Sequence, residues 1–112
     1  MIFSTTDCFG RKVCLRKSTW HNHILKGHPE MATNEEPIRE TIEDPDFVYK
    51  SGKVIDTDIF YRRHPKSTFP KLYIKVAIKY DDTNYGIVRS CWFQPDVTGV
   101  EQGGLKYVRP KI

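Results

Sequence analysis

From Lys71 to Tyr80 the chain alternates strictly. Leu72, Ile74, Val76, Ile78 and Tyr80 fall on one side, and Lys71, Tyr73, Lys75, Ala77 and Lys79 on the other. A period of two sustained this long is the mark of a half-buried β-strand. Asp81-Asp82-Thr83-Asn84 is turn material, and Tyr85 to Phe93 returns as an antiparallel partner. Phe47-Val48-Tyr49 and Asp58 to Arg63 predict two further strands, separated by the turn residues Ser51-Gly52-Lys53. Upstream the period lengthens. Trp20, Ile24 and Leu25 form an apolar helical stripe, with Ser18 or Thr19 as cap and Gly27 and Pro29 as its end. A second helix is predicted after Thr33 or Asn34. Glu35 and Glu36 suit its positive end, Pro37 is tolerated in its first turn, and Ile38 and Ile42 share one face. Asp44-Pro45 stops it, because a residue before proline is pushed out of the helical region. Ile2 to Ser4 and Lys12 to Arg16 flank Phe9-Gly10-Arg11 as a short hairpin, and Leu105 to Val108 offer a last edge strand.

Helices followed by a meander predict an α+β layer: N-terminal helices packed on one face of a four-stranded (or larger) antiparallel sheet. The other face, carrying the lysines and Tyr73, is left to bind something. The 112 residues suit a single domain, with a core over 18–93, N-terminal strands over 1–17 and a tail over 94–112.

Composition changes this picture little. Hydrophobic residues make up 38% and aromatic residues 12% of the chain, enough for one packed core. The formal charge of +4 fits a nucleic-acid or phosphate partner and many plain surfaces besides. No apolar run approaches the roughly 20 residues of a membrane span. The first residues lack the pattern of a signal peptide. Cys8, Cys14 and Cys91 are an odd set without paired spacing, which points to free thiols in a cytoplasmic setting. No cofactor is implied, and no zinc-ligand spacing is present.

The densest chemistry is His21, His23 and His28, three of the four histidines, within one predicted helix. Histidine titrates nearest neutral pH and is the usual proton-transfer residue. At about 100° per residue, His21 and His28 fall near the buried stripe and His23 at its edge. An edge histidine is held by packing yet open to substrate. A core histidine with a satisfied hydrogen bond is the competing reading for each. His64, in the loop Arg63-His64-Pro65-Lys66, is a weaker candidate.

The run Trp20-x-x-His23-Ile24-Leu25-x-x-His28-Pro29-Glu30-Met31, then Ile38-x-x-Thr41-Ile42-x-x-Pro45-Asp46-x-x-Tyr49-x-Ser51, then Tyr61-Arg62 and Ile87-Val88-Arg89-Ser90, resembles the phage-associated branch of the barnase–EndoU–colicin–RelE-like (BECR) nucleases. The likeness covers roughly 18–93. It implies a barnase-like fold and an RNase that needs no metal. It also implies a helix histidine, a basic strand residue and a serine or threonine as catalytic groups. Here these map to His23 or His28, to Arg62 or Lys75, and to Ser90, where relatives of that branch often carry threonine. A toxin-like member would bring an inhibitory immunity or antitoxin protein as partner.

The residues suit that chemistry. Cleavage through the ribose 2′-hydroxyl needs a base, an acid and a cation on the phosphate. His23 and His28 can share acid and base work, Arg62 can fork onto phosphate oxygens, and Ser90 can donate to them. Tyr61 and Tyr73, beside Lys75 and Lys79, can bind bases and backbone. The alternative is a non-catalytic module of the same scaffold, recognising RNA or a protein through the lysine–tyrosine face. That face is also the wet side any antiparallel sheet presents. Strict alternation gives Ser90 the same-face neighbours Val88 and Trp92, and a place as a small core-edge residue.

Overall fold

In the computed structural model, residues 1–97 and 102–110 are described. Seven strands form one mixed sheet in the order β1-β2-β6-β5-β4-β3-β7. They are β1 (Phe3–Thr6), β2 (Lys12–Leu15), β3 (Phe47–Ser51), β4 (Thr57–Arg63), β5 (Tyr73–Tyr80), β6 (Gly86–Gln94) and β7 (Gln102–Val108). This corrects the expected fold class. The expected barnase-like packing of N-terminal helices on a four-stranded (or larger) antiparallel sheet is replaced by a seven-stranded mixed sheet accompanied by short helices. The β1–β2 hairpin joins the sheet through a parallel contact of Val13 with Gly86 and Cys14 with Ile87. The tail adds β7 against β3, with register irregularities. Alternation within single segments is blind to both joins, because each pairs residues far apart in sequence.

Among the described residues two short helices accompany the sheet. The first, 17–27, is not a regular α-helix. Its middle, Trp20–Ile24, is a π-helical turn in which Leu25 N–H reaches the Trp20 carbonyl, flanked by α-turns Lys17–Thr19 and Leu25–Gly27. It starts at Lys17, ahead of the expected caps, so neither Ser18 nor Thr19 caps it. The second helix, Glu35–Glu43, follows a 3₁₀ turn at Pro29–Thr33. Asn34 stands at its cap position, but its side chain is used otherwise. The amide donates to Glu30 O and Thr68 Oγ1, each at 2.9 Å, and accepts from Thr68 N–H at 2.9 Å. Asn34 therefore ties the loop after β4 to the helical layer.

The second helix buries Ile38 and Ile42 against β1, β4 and β5. Full burial of each such side chain contributes about 1.5–3 kcal/mol. Trp20 and Ile24 of the first helix complete this core with Val13, Leu15, Phe60, Ile74, Val76, Ile78 and Val88. Cross-strand partners share a sheet face. Hence Phe60 with Val76 faces the second helix, while Ile59 with Ala77 and Tyr61 with Lys75 face away.

That far face is not simply the wet side of the sheet. Tyr61 is fully buried there and Lys75 is 2% exposed, with Ile59 and Thr57 also buried. Tyr61 makes edge-on ring contacts with Tyr49 and Tyr73, each with centroids 6.1 Å apart. A second, partly polar layer thus lies behind the sheet.

Candidate active site

The first helix lies along β6 beyond the point where β2 stops pairing with it. Residues 22–28 and the second half of β6 enclose a cleft of about 380 Å³, bordered by Asn22, His23, Ile24, Lys26, Gly27, His28, Ser90, Cys91 and Trp92. A second hollow, about 510 Å³, is bordered by Thr19, His23, Val54, Thr57, Ala77, Lys79, Arg89 and Ser90. His23 and Ser90 border both. The two hollows are therefore halves of one groove, meeting where His23 of the helix faces Ser90 of the strand.

A β-bulge shapes the strand wall. Ala77 pairs with Ser90 and Ile78 with Val88, so Arg89 has no partner on β5. Bulges re-aim side chains in this way. With Cys91 in the core, strict alternation would send Arg89 in after it. The bulge lets Val88 fill the core instead and turns both Arg89 and Ser90 to the groove. Val88 is consequently not a same-face neighbour of Ser90, whereas Trp92 is.

The π-turn shapes the helix wall. One extra residue per turn shifts every later side chain from its α-helical angle. His21 and His23 are exposed, and His28 is half-buried. His21, expected near the core stripe, faces solvent. His28 is held from two sides: its ring stacks on Trp92 with centroids 5.5 Å apart at 27°, and Glu30 Oε2 lies 3.6 Å from Nδ1. The Lys75 ammonium sits 4.6 Å from the Trp92 ring centroid, so this lysine supports the wall from beneath.

The electrostatics of the groove are one-sided. Among the described residues no carboxylate borders either half, Glu30 standing behind His28, while Lys26, Lys79 and Arg89 do. Among the described residues these three cations make no salt bridge. Arg11, Arg39, Arg62, Lys106 and Arg109 are paired elsewhere. Cys91 lies beside the two histidines but is no nucleophile. Burial, and secondarily the Glu30 charge, pushes its thiol up to about 12, and only a thiolate attacks.

The expected site residues divide cleanly. His23, His28 and Ser90 share the first hollow, and Lys79 lies in the second. Arg62 is the correction. It is opposite Ile74, on the face of the second helix, and its Nη1 donates to the Asp44 carbonyl at 2.9 Å and to Asp44 Oδ2 at 3.2 Å. It caps the end of that helix and is remote from the groove. Tyr61 is too deeply buried to meet a base, and Tyr73, partly buried, packs on Tyr61, Phe47 and Arg63. His64 is 3% exposed, accepts from Lys66 N–H and has Nε2 3.3 Å from Glu40 Oε1, a structural role. Sequence reasoning missed Lys26, Arg89 and Trp92 as groove residues. Lys26, three residues after His23, was the accessible signal; the bulge that exposes Arg89 was not.

Among the described residues no three histidine, cysteine or acidic side chains converge as a metal-ligand set, and no helix is long and apolar enough to cross a membrane. Comparison with protein-family models, curated proteins and solved structures yields no match.

Proposed function

We propose that the protein binds RNA along this groove and cleaves it by transphosphorylation, using its own side chains. One observation carries the reading: two histidines, a serine and three cations that make no salt bridge among the described residues border a groove whose described lining includes no carboxylate. Such a lining favours a phosphodiester and repels little of it. One histidine takes the proton of the ribose 2′-hydroxyl, and the 2′-oxygen attacks phosphorus. The P–O5′ bond breaks as the other histidine gives its proton to the leaving oxygen. A 2′,3′-cyclic phosphate and a free 5′-hydroxyl result. Ser90 and Arg89 donate hydrogen bonds to the non-bridging oxygens, where charge builds up. His28, fixed by Trp92 and Glu30, is the better-positioned of the two histidines. The three free thiols suit a cytoplasmic, reducing compartment for this activity.

The test is incubation of RNA with pure protein in EDTA, with product ends analysed. Cyclic phosphate ends and a bell-shaped pH–rate profile are expected. His23→Ala and His28→Ala should each slow cleavage by about 10²–10⁴-fold. RNA that stays intact between pH 5 and 8 overturns the catalytic reading. Binding without cleavage has one observation in its favour: among the described residues no hydrogen bond holds the His23 imidazole. That alternative gives a salt-dependent RNA complex with no product and no loss of affinity in His23→Ala.

A further inference from the structure

We infer that the groove reads RNA as an unpaired dinucleotide step, one nucleoside in each half and the linking phosphate at His23 and Ser90. The inference deepens the RNA reading above and rests on it for the identity of the polymer. It begins from how the groove is divided. His23 and Ser90 are the residues common to both halves, and the hollows extend from them in different directions, one under the first helix and one toward the β3–β4 loop. Each half, about 380 Å³ and about 510 Å³, lies within the roughly 300–1,000 Å³ typical of small-molecule sites.

The halves differ in chemistry. The first has an apolar wall of Ile24 and Trp92, with the half-buried His28 ring stacked on the indole. A base laid against that wall covers apolar surface and a ring stack, contacts that tolerate any base because every base has a flat apolar face. The second is bordered by Lys79 and Arg89, with the exposed Val54 as its apolar lip. Its two cations suit the phosphate that follows the second nucleoside, as well as the shared one. A ligand spanning both halves therefore gains contacts that a mononucleotide in the first half does not reach. Bases turned into separate hollows cannot be paired in a duplex, so single-stranded RNA is the substrate class.

Tryptophan emission reads occupancy of the first half, because Trp92 borders it while Trp20 is 3% exposed in the core. The probes are a 2′-O-methyl dinucleotide carrying a 3′-phosphate, which cannot be cleaved through its 2′-oxygen, and a nucleoside 5′-monophosphate. Both should quench emission, the dinucleotide at about tenfold lower concentration or better. Lys79→Ala/Arg89→Ala, two surface changes, should bring the dinucleotide close to the mononucleotide, a loss of about tenfold. A blunt-ended 2′-O-methyl duplex of about twelve base pairs should not quench, whereas either of its single strands should. Equal affinity for the two probes overturns the inference, as does a dinucleotide preference that survives the double substitution. Cleavage of long RNA without any dinucleotide preference leaves the proposed activity standing and removes this inference. Dinucleotide preference with no cleavage does the reverse.

Discussion

At the scale of single residues, the groove is bordered by three side chains of types that can do chemistry: His23, His28 and Cys91. Their surroundings separate them. His28 has a ring stacked on it and a carboxylate beside it, His23 stands exposed at the junction, and Cys91 is sealed in the core. Burial holds the Cys91 thiol at about 12, so at pH 8 almost none of it is thiolate. Iodoacetamide at pH 8 should leave Cys91 unmodified in the native protein and label it once urea unfolds the chain, as peptide mass mapping can follow. Prompt native-state labelling of Cys91 would return a thiol nucleophile to consideration and weaken the histidine reading.

At the scale of elements, two irregularities build the groove: the π-turn in the first helix and the bulge at Arg89. Neither was legible in the sequence. Both insert one residue into a regular repeat, and a repeat read from one chain segment does not reveal where its partner skips. The β5 alternation was legible because one of its faces is uniformly apolar. The parity of β4 was not, since Ile59, Phe60 and Tyr61 are all buried and both faces are covered. That ambiguity is why the sequence left Arg62 and Lys75 as alternatives, although the two side chains lie on opposite faces of the sheet. His23 and His28 were legible from their type and spacing, and Ser90 only through the resemblance, although the fold expected to unite them was not the one found. The turn into β6 makes a further demand. A Cβ on Gly86 would stand 2.6 Å from Tyr80 Cε1 and 2.8 Å from Ile78 Cγ2, inside any allowed contact. Gly86→Ala must push the Tyr80 ring or the strand aside. We expect a loss of about 1–3 kcal/mol, the range for overpacking, measured as a lowered urea midpoint. An unchanged midpoint would mean that the Tyr80 ring relaxes freely.

At the scale of the whole molecule, the same Tyr80 belongs to a largely buried polar cluster that fastens the sheet next to the second hollow, since Asp58 and Tyr80 directly follow the groove residues Thr57 and Lys79. Arg11 Nε contacts Asp7 Oδ2 at 2.8 Å, and its Nη2 contacts Asp58 Oδ2 at 2.9 Å. Lys106 Nζ reaches the same Asp58 oxygen at 2.8 Å, and Tyr80 donates to Asp7 Oδ2 at 2.6 Å. Asp7 and Arg11 come from the β1–β2 hairpin, Asp58 from β4, Tyr80 from β5 and Lys106 from β7. One cluster therefore links the added hairpin and the added edge strand to the central strands. The guanidinium also lies 3.6 Å over the Tyr80 ring. Burial first, and the hydrogen bond and charge of Asp7 next, push the Tyr80 phenol far above its ordinary value. An unfolded tyrosine loses its proton near about pH 10, while the folded one keeps it. The contribution of this phenol is thus complete below pH 10 and is lost as pH rises further, because deprotonation then favours the unfolded chain. Tyr80→Phe removes one donor from a buried carboxylate and should cost about 1–3 kcal/mol at pH 7. Other groups also titrate in alkali, so the informative quantity is the difference between the two proteins. The gap in urea midpoint between wild type and Tyr80→Phe should be constant from pH 7 to 9 and narrow from pH 10 to 11. A gap that stays constant to pH 11 would mean that the phenol titrates alike in both states, and the cluster would then owe its strength to the Arg11, Asp7 and Asp58 contacts alone.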